Sequence, residues 1–250
     1  MRFASVLSIS LLAVAACATT PSEDVSATAV YDPLEGVNRQ IYAFNDGVDR
    51  VVLEPVARGY RAVTNEPIRG GVSNFLTNLN QPVVFANTIL QGKPGAAIDT
   101  FSRFAVNTTF GLAGILDVAT PLNVPEHKED FGQTLQVWGV APGPHIVLPL
   151  SGSSTVTDSV GSLLGAFTNP LLLLNDTQSQ IIVRAVGVVD LRAQLLSAET
   201  LVSGDRYLFL RDALLQRRAF LVQDGQIEED PFLSDEDYDE DEDDWGDDEP

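Results

Sequence analysis

Proline and glycine cut this 250-residue chain into pieces too short to cross a membrane. After Cys17 no apolar run reaches the roughly 18 to 20 residues that a spanning helix needs. What remains between the breakers is a series of short amphipathic segments. The first is predicted over Leu34–Val52, where Val37, Ile41, Phe44, Val48 and Val51 recur at three- and four-residue steps and share one face. Asp32-Pro33 opens it as a cap and a first-turn proline would, and Pro55 breaks or ends it. A second segment follows over Val56–Val63. A third starts near Pro67 and carries Val72, Phe75, Leu76 and Leu79. Pro82 opens a fourth, with Val83, Phe85, Ile89 and Leu90, which Gly92 ends. A fifth spans Gly95–Phe110. Ser179–Ala198 and Asp205–Val222 are the longest unbroken helical patterns.

The stretch Gln133–Leu150, QTLQVWGVAPGPHIVLPL, is different. It is rich in Val, Gly and Pro, and reads as a short hairpin turning at Pro142-Gly143-Pro144. Strands are too few for an all-β fold and no repeat stands out. The expected fold class is mainly α: a single domain over residues 31–224, built of many short amphipathic helices with a small hairpin loop.

The two ends carry their own signals. Met1 and Arg2 form a short positive region, and Phe3 to Ala16 is an apolar run of signal-peptide length. Ala13-Val14-Ala15 reads as a plain secretory cleavage site. Val14-Ala15-Ala16-Cys17 resembles a bacterial lipobox, in which Cys17 is acylated and becomes the mature first residue. Residues 1–16 are then a lipoprotein signal peptide and 17–30 a flexible tether. Ala18, in place of Asp, points to the outer membrane. Cys17 is the only cysteine, so an internal disulfide and a Cys-based zinc site are excluded.

The net charge of −20 is concentrated at the other end. Fifteen of the 35 acidic side chains fall between Glu228 and Glu249 with no base among them, leaving 20 acids against 15 bases elsewhere. Residues 225–250 read as a disordered acidic tail, too polar to bury enough apolar area to offset chain entropy. The mildly acidic body disfavours nucleic acid, which needs a basic surface.

Motifs for chemistry are thin. No phosphate-binding glycine loop occurs. His127 lies among Glu126, Glu129 and Asp130, at a spacing that matches no metal-ligand pattern, and reads as part of a solvated loop. His145 with Ser151, Ser153 or Ser154 and Asp158 offers the ingredients of a hydrolase, yet the strand–turn–helix elbow that presents such a serine is missing. Arg184 interrupts QIIVRAVGVVDLR, which has almost no polar face. It is either a snorkelling or ion-paired arginine, with Asp190 one partner, or a cation on a polar path where a phosphate passes.

Several segments together resemble the MlaA (VacJ) lipoprotein family. They are YDPLEGVNRQIYAFND (Tyr31–Asp46), SNFLTNLNQPVVFANTILQGKP (Ser73–Pro94), FSRFAVNTTFGLAGILDVAT (Phe101–Thr120), FGQTLQVWGVAPGPHIVLPLSG (Phe131–Gly152) and DLRAQLL (Asp190–Leu196). The motif residues include Asp32, Pro33, Asn38, Arg39, Phe44, Asn45, Asn74 and Phe75. The resemblance implies a helical, ring-like lipoprotein without enzymatic activity, cofactor or metal, apart from acyl groups on Cys17. It would lie in the inner leaflet of the outer membrane, facing the periplasm, and bind a trimeric porin. Through an amphipathic channel it would remove mislocalised glycerophospholipids from the outer leaflet and pass them to a soluble periplasmic carrier, preserving lipid asymmetry. The loop Gly139–Pro149 would border the channel, with Gly139, Val140, Gly143, Pro144, Leu148 and Pro149 keeping the family pattern and Arg184 a candidate headgroup contact. Gln136, Ala141, His145 and Thr157 depart from that pattern. Two rival readings are a structural porin-associated lipoprotein without a transport path, and a membrane-surface lipase using His145.

Overall fold

The computed structural model describes residues 32–173, 176–198, 202 and 204–225. The expected signal peptide and tether, Cys17, Tyr31 and the acidic tail beyond Gly225 lie outside the described residues.

Asp32 starts the body. Its backbone carbonyl accepts from Glu35 N–H at 3.2 Å and its side chain from Leu34 N–H at 3.3 Å, opening α1 (Glu35–Val48). The predicted stop at Pro55 does not occur. The turn Asp49–Leu53 takes the wider π form, with Glu54 N–H bonded to the Asp49 carbonyl five residues back. That widening lets the backbone pass the proline ring, which would otherwise meet the carbonyl four residues before it. Helix α2 (Glu54–Val63) follows at once, with Pro55 in its first turn, where no N–H is needed.

Asn65 caps α3 (Glu66–Leu90) by accepting from Ile68 N–H at 3.0 Å. Pro82 was expected to open a separate helix, but it sits inside this 25-residue one. The local cost of about 3 kcal/mol for an interior proline is overridden by packing, since α3 is the central helix of the fold. Gly92, at φ +73°, turns the chain into α4 (Pro94–Thr109), which lies back along α3, with the rings of Phe85 and Phe101 at 6.0 Å.

The expected hairpin is also displaced. Phe131–Val137 forms a helix, α5, capped by Asp130. The Pro142-Gly143-Pro144 segment is not its turn. The strands are β1 (His145–Leu148) and β2 (Gly152–Thr155), antiparallel with His145 opposite Thr155 and Leu148 opposite Gly152. Proline removes the ladder donor at 142 and 144, so pairing begins only after Pro144. Thr155 caps α6 (Val156–Thr168), a helix not foreseen from the sequence. Asp176 caps α7 (Thr177–Leu195) and Asp205 caps α8 (Arg206–Val222), both within a few residues of expectation.

The contacts close a circuit. Helix α1 packs on β1, β1 pairs with β2, and β2 meets α8. Helix α8 meets α5, α5 meets α6 and α3, α3 meets α4 and α7, and α7 returns to α2, which continues from α1. The result is a single mainly helical domain closed as a ring. Among the described residues no helix is long and apolar enough to cross a membrane.

Candidate functional site

Two asparagines of α1, seven residues apart, fasten the hairpin to the ring. Asn38 Nδ2 donates to the His145 carbonyl at 3.0 Å, and its Oδ1 accepts from Val147 N–H at 2.9 Å. Asn45 repeats the pattern, donating to the Leu148 carbonyl at 2.9 Å and accepting from Leu150 N–H at 2.8 Å. A carboxamide carries one donor and one acceptor edge, so it pairs with a strand edge as another strand would. Asp32 holds Asn38 from behind, at 3.1 Å, and receives the Tyr207 hydroxyl of α8. Arg39 covers the Tyr207 ring at 4.5 Å and bridges Glu35 and Asp205. Burial would raise the Asp32 carboxyl, but the Tyr207 hydroxyl and His145 outweigh it and hold it below its ordinary value. Burial pushes the His145 imidazole below its ordinary value, against the pull of Asp32. The six-residue loop set is thereby placed. Gly139 to Pro144 run along the start of α6, where the Ala141 and Pro142 carbonyls accept from Thr157 and the Pro144 carbonyl from Val156. Leu148 and Pro149 end β1.

Helix α4 organises the segment after it. Arg103, almost wholly buried, donates to the Val124 carbonyl at 2.6 Å and to both Asp117 oxygens. Asn107 Oδ1 accepts from Val118 and Ala119 N–H at 2.8 and 2.9 Å. Leu112, Ala113 and Gly114 adopt positive φ, and a Cβ at Gly114 would stand 2.3 Å from that of Asn78, so the chain crosses α3 only with glycine there. Asn74 adds a bond to the Ile115 carbonyl at 3.2 Å.

The elements of the ring surround a cavity of about 640 Å³. Its wall comes from α3 (Thr77, Gln81), the 126–130 segment, Gln133 of α5, Ser153 and Ser154 of β2, Asp158 of α6 and Arg217 and Arg218 of α8. Arg218 bridges Asp130 at 2.6 Å and also contacts Asp158. Burial disfavours these charges, but their mutual attraction prevails, lowering the Asp130 carboxyl and raising the Arg218 guanidinium from their ordinary values. The crossing of α5 and α6 depends on two glycines, since a Cβ on Gly161 would come within 2.3 Å of Gly132 N.

Beside the cavity lies an apolar groove of about 680 Å³ between α3 and α7, lined by Ile68, Val72, Phe75, Ile115, Ile182 and Val186 among others. Leu76 lines both spaces. The wider surface is inverted relative to a water-soluble domain. Among the described residues the buried set is dominated by polar side chains such as Asn38, Asn78, Gln81, Asn87, Thr88 and Arg103. Large apolar ones are exposed, including Val37, Phe44, Val51, Phe110, Phe167 and Leu173.

The family-motif residues found in the sequence thus divide. Asp32, Asn38, Arg39 and Asn45 meet at the hairpin, Pro33 precedes α1, Asn74 braces the loop, Phe75 lines the groove and Phe44 faces outward. None of the six loop residues lines the cavity; Leu148 belongs to β1, whose partner β2 does, and Gly139, Val140, Gly143 and Pro144 lie in the segment bonded to the start of α6. Arg184 is exposed on α7 and lines neither space. Its supposed partner Asp190 is taken instead by the Tyr60 hydroxyl and Gln194. His127 contacts Asp99 at 3.0 Å, and among the described residues no cluster could hold a metal. The hydrolase set is dispersed: His145 faces Asp32, Ser154 bonds Ser159, and Asp158 bonds Gln136 and Arg218. Sequence reasoning missed Gln81, Gln133, Arg217 and Arg218. The stripe Asn74-Thr77-Asn78-Gln81 at helical spacing was the available signal for the polar interior.

A ring of helices whose outside favours hydrocarbon and whose inside favours water defines a class of membrane-associated protein. This chain belongs to the MlaA lipoprotein family, whose model matches residues 30–221. It is 34% identical over 229 residues to the intermembrane phospholipid transport system lipoprotein MlaA of Escherichia coli strain K12, covering 89% of this chain and 90% of that one. The protein of the same description in Haemophilus influenzae is 33% identical, with 92% and 94% covered. An uncharacterized protein of Rickettsia felis is 36% identical over 198 residues, with 78% and 79% covered. A solved structure reported as the structural basis for maintenance of bacterial outer membrane lipid asymmetry superposes with a TM-score of 0.70. It is 35% identical, and 77% of this chain and all of that chain are covered.

Proposed function

We propose that this lipoprotein moves glycerophospholipids out of the outer leaflet of the outer membrane and so maintains lipid asymmetry. One observation carries the reading: an open cavity, lined by charged and polar side chains together with Leu76, Leu191, Leu214 and Leu221, lies within a ring that exposes many large apolar side chains, and an apolar groove adjoins it at Leu76. A phospholipid has a charged head and two hydrocarbon chains, so its path needs both surfaces side by side. Binding and release suffice for transport, and no covalent step is required of the protein.

Acyl groups on Cys17 anchor the chain to the inner leaflet on the periplasmic side, each buried methylene contributing about 0.8 kcal/mol. The exposed apolar faces of the helices seat the body in that leaflet, which fits a fold whose backbone bonds are satisfied internally. A trimeric porin is the expected membrane partner and a soluble periplasmic carrier the expected acceptor. Arg184, exposed on α7 away from the face that Ile182, Val183 and Val186 turn to the groove, is proposed as a headgroup contact on the outer surface rather than at the groove. The Gly139–Pro149 loop steadies the channel through its link to β2.

The test is deletion of the gene followed by measurement of outer-leaflet phospholipid, with detergent sensitivity as a second readout. Exposed phospholipid that the unaltered gene reverses supports transport. Intact asymmetry after deletion refutes it.

A further inference from the structure

Three residues that line the central cavity each carry a buried polar atom with no hydrogen-bond partner among the described residues. The atoms are Gln81 Oε1, Gln133 Oε1 and Arg218 Nε. Gln81 and Gln133 are 3% and 2% exposed. Gln133 is oriented by its own Nε2, which donates to the Lys128 carbonyl at 2.9 Å and to Asp130 at 3.2 Å, so its oxygen is the free edge. An unsatisfied acceptor in such a place is costly and calls for a donor.

The charges of the wall are nearly all engaged. Asp130 and Asp158 share Arg218, Glu129 is paired with Lys93, and Glu126 faces Lys128 at 3.8 Å. Arg217 is the exception. It lines the cavity, is exposed, and forms no ion pair or hydrogen bond with a described residue. The wall therefore offers one uncommitted cation and two uncommitted carboxamide oxygens around a single space. That is the complement of a phosphodiester carrying a terminal N–H or O–H donor.

We infer that the cavity selects phospholipids by the donors of their headgroup. Arg217 takes the phosphodiester, and the carboxamide oxygens of Gln81 and Gln133 take the ammonium of an ethanolamine headgroup or the hydroxyls of a glycerol one. A trimethylammonium headgroup has the phosphate and net charge of the ethanolamine one but no donor, and would leave both oxygens unpaired. The inference rests on the transport reading above and adds lipid preference to it.

The experiment uses the full-length chain in detergent, exposed to vesicles of equal parts phosphatidylethanolamine, phosphatidylglycerol and phosphatidylcholine with matched acyl chains. Bound lipid is identified by mass spectrometry. The first two should exceed phosphatidylcholine by at least about tenfold, the factor associated with each unpaired buried acceptor. Gln81→Leu should reduce that ratio several-fold, and Arg217→Gln should lower retention of all three lipids alike. Arg217 is exposed, so its variant keeps the test decisive should Gln81→Leu fail to fold. Equal retention of phosphatidylcholine by the unaltered chain overturns the inference and leaves the transport reading standing. If the unaltered chain retains no lipid at all, the transport reading fails and the inference falls with it. Displacement of bound lipid by excess inorganic phosphate would mark a free-phosphate site and also overturn it. Lipid that withstands phosphate supports it.

Discussion

Asn38 of α1 donates to the carbonyl of His145 at 3.0 Å, across 107 residues of sequence. Its side-chain oxygen receives Val147 N–H, so one buried carboxamide completes both edges of the strand turn that it faces. Asn45 does the same further along, but at the exposed end of the hairpin. The hairpin, two strands that would be marginal alone, is stable because α1 supplies the third edge.

Asn38→Ala should destabilise the fold by about 2 to 3 kcal/mol, because a buried carbonyl and a buried N–H both lose their partner. Asn45→Ala should cost about 1 kcal/mol, since water reaches the groups it frees. Chemical denaturation of the two variants checks the ranking. Equal losses would remove the clamp from the argument.

Much of the frame was legible because it obeys local rules. The helical patterns at Gly95–Phe110, Ser179–Ala198 and Asp205–Val222 follow from periodicity and propensity, and each lies within a few residues of a helix of the fold. Pro82 and Pro55 misled because tertiary packing and a π turn absorb what local sterics forbid. Thr155 was invisible as a cap, because it follows a strand that pattern could not separate from the turn. The cavity residues come from five separated segments and have no signature in any one of them. Only the inverted stripe of α3 hinted at a polar interior, and Asn and Gln in a helix read as surface until burial is known.

His145 makes stability depend on pH. Its folded-state value lies below the ordinary 6.5, chiefly through burial, and the facing groups are Asp32, Arg211, Asp212 and Tyr207. As pH falls below 6.5 the unfolded chain takes up a proton that the folded chain does not, so stability declines. Asp32, held below the ordinary 3.8, adds a further loss at lower pH as its folded-state carboxyl is protonated. His145→Phe should flatten the decline that begins as pH falls below 6.5 and leave the more acidic limb, as followed by Tm across pH. A slope unchanged in the variant would assign the dependence elsewhere.

Two glycines on either side of α5 should respond differently to alanine. At Gly161 a Cβ meets the backbone of Gly132, which cannot move without separating α5 from α6, so Gly161→Ala should cost about 3 kcal/mol or more. At Gly139 a Cβ meets nothing within 4 Å, and only the φ of +92° opposes it. Gly139→Ala should cost about 1 kcal/mol, from that conformation alone. Denaturant midpoints separate the two cases, and a larger loss at Gly139 would contradict the packing account.

The acyl anchor and the apolar faces make separable contributions to membrane attachment. Leu163 and Phe167 stand one turn apart on α6, 68% and 80% exposed, and Leu173 follows at 83%. Burying each such side chain in hydrocarbon is worth about 1.5 to 3 kcal/mol, enough for two of them to shift partitioning more than tenfold. Cys17→Ala should therefore mislocalise in the cell yet still fold, and the purified full-length variant should still co-sediment with phospholipid vesicles. Adding Leu163→Ser and Phe167→Ser should weaken co-sedimentation more than tenfold while leaving the thermal midpoint in detergent unchanged, because neither side chain packs inside the ring. Vesicle binding undiminished by both changes would place the membrane-facing surface elsewhere on the ring.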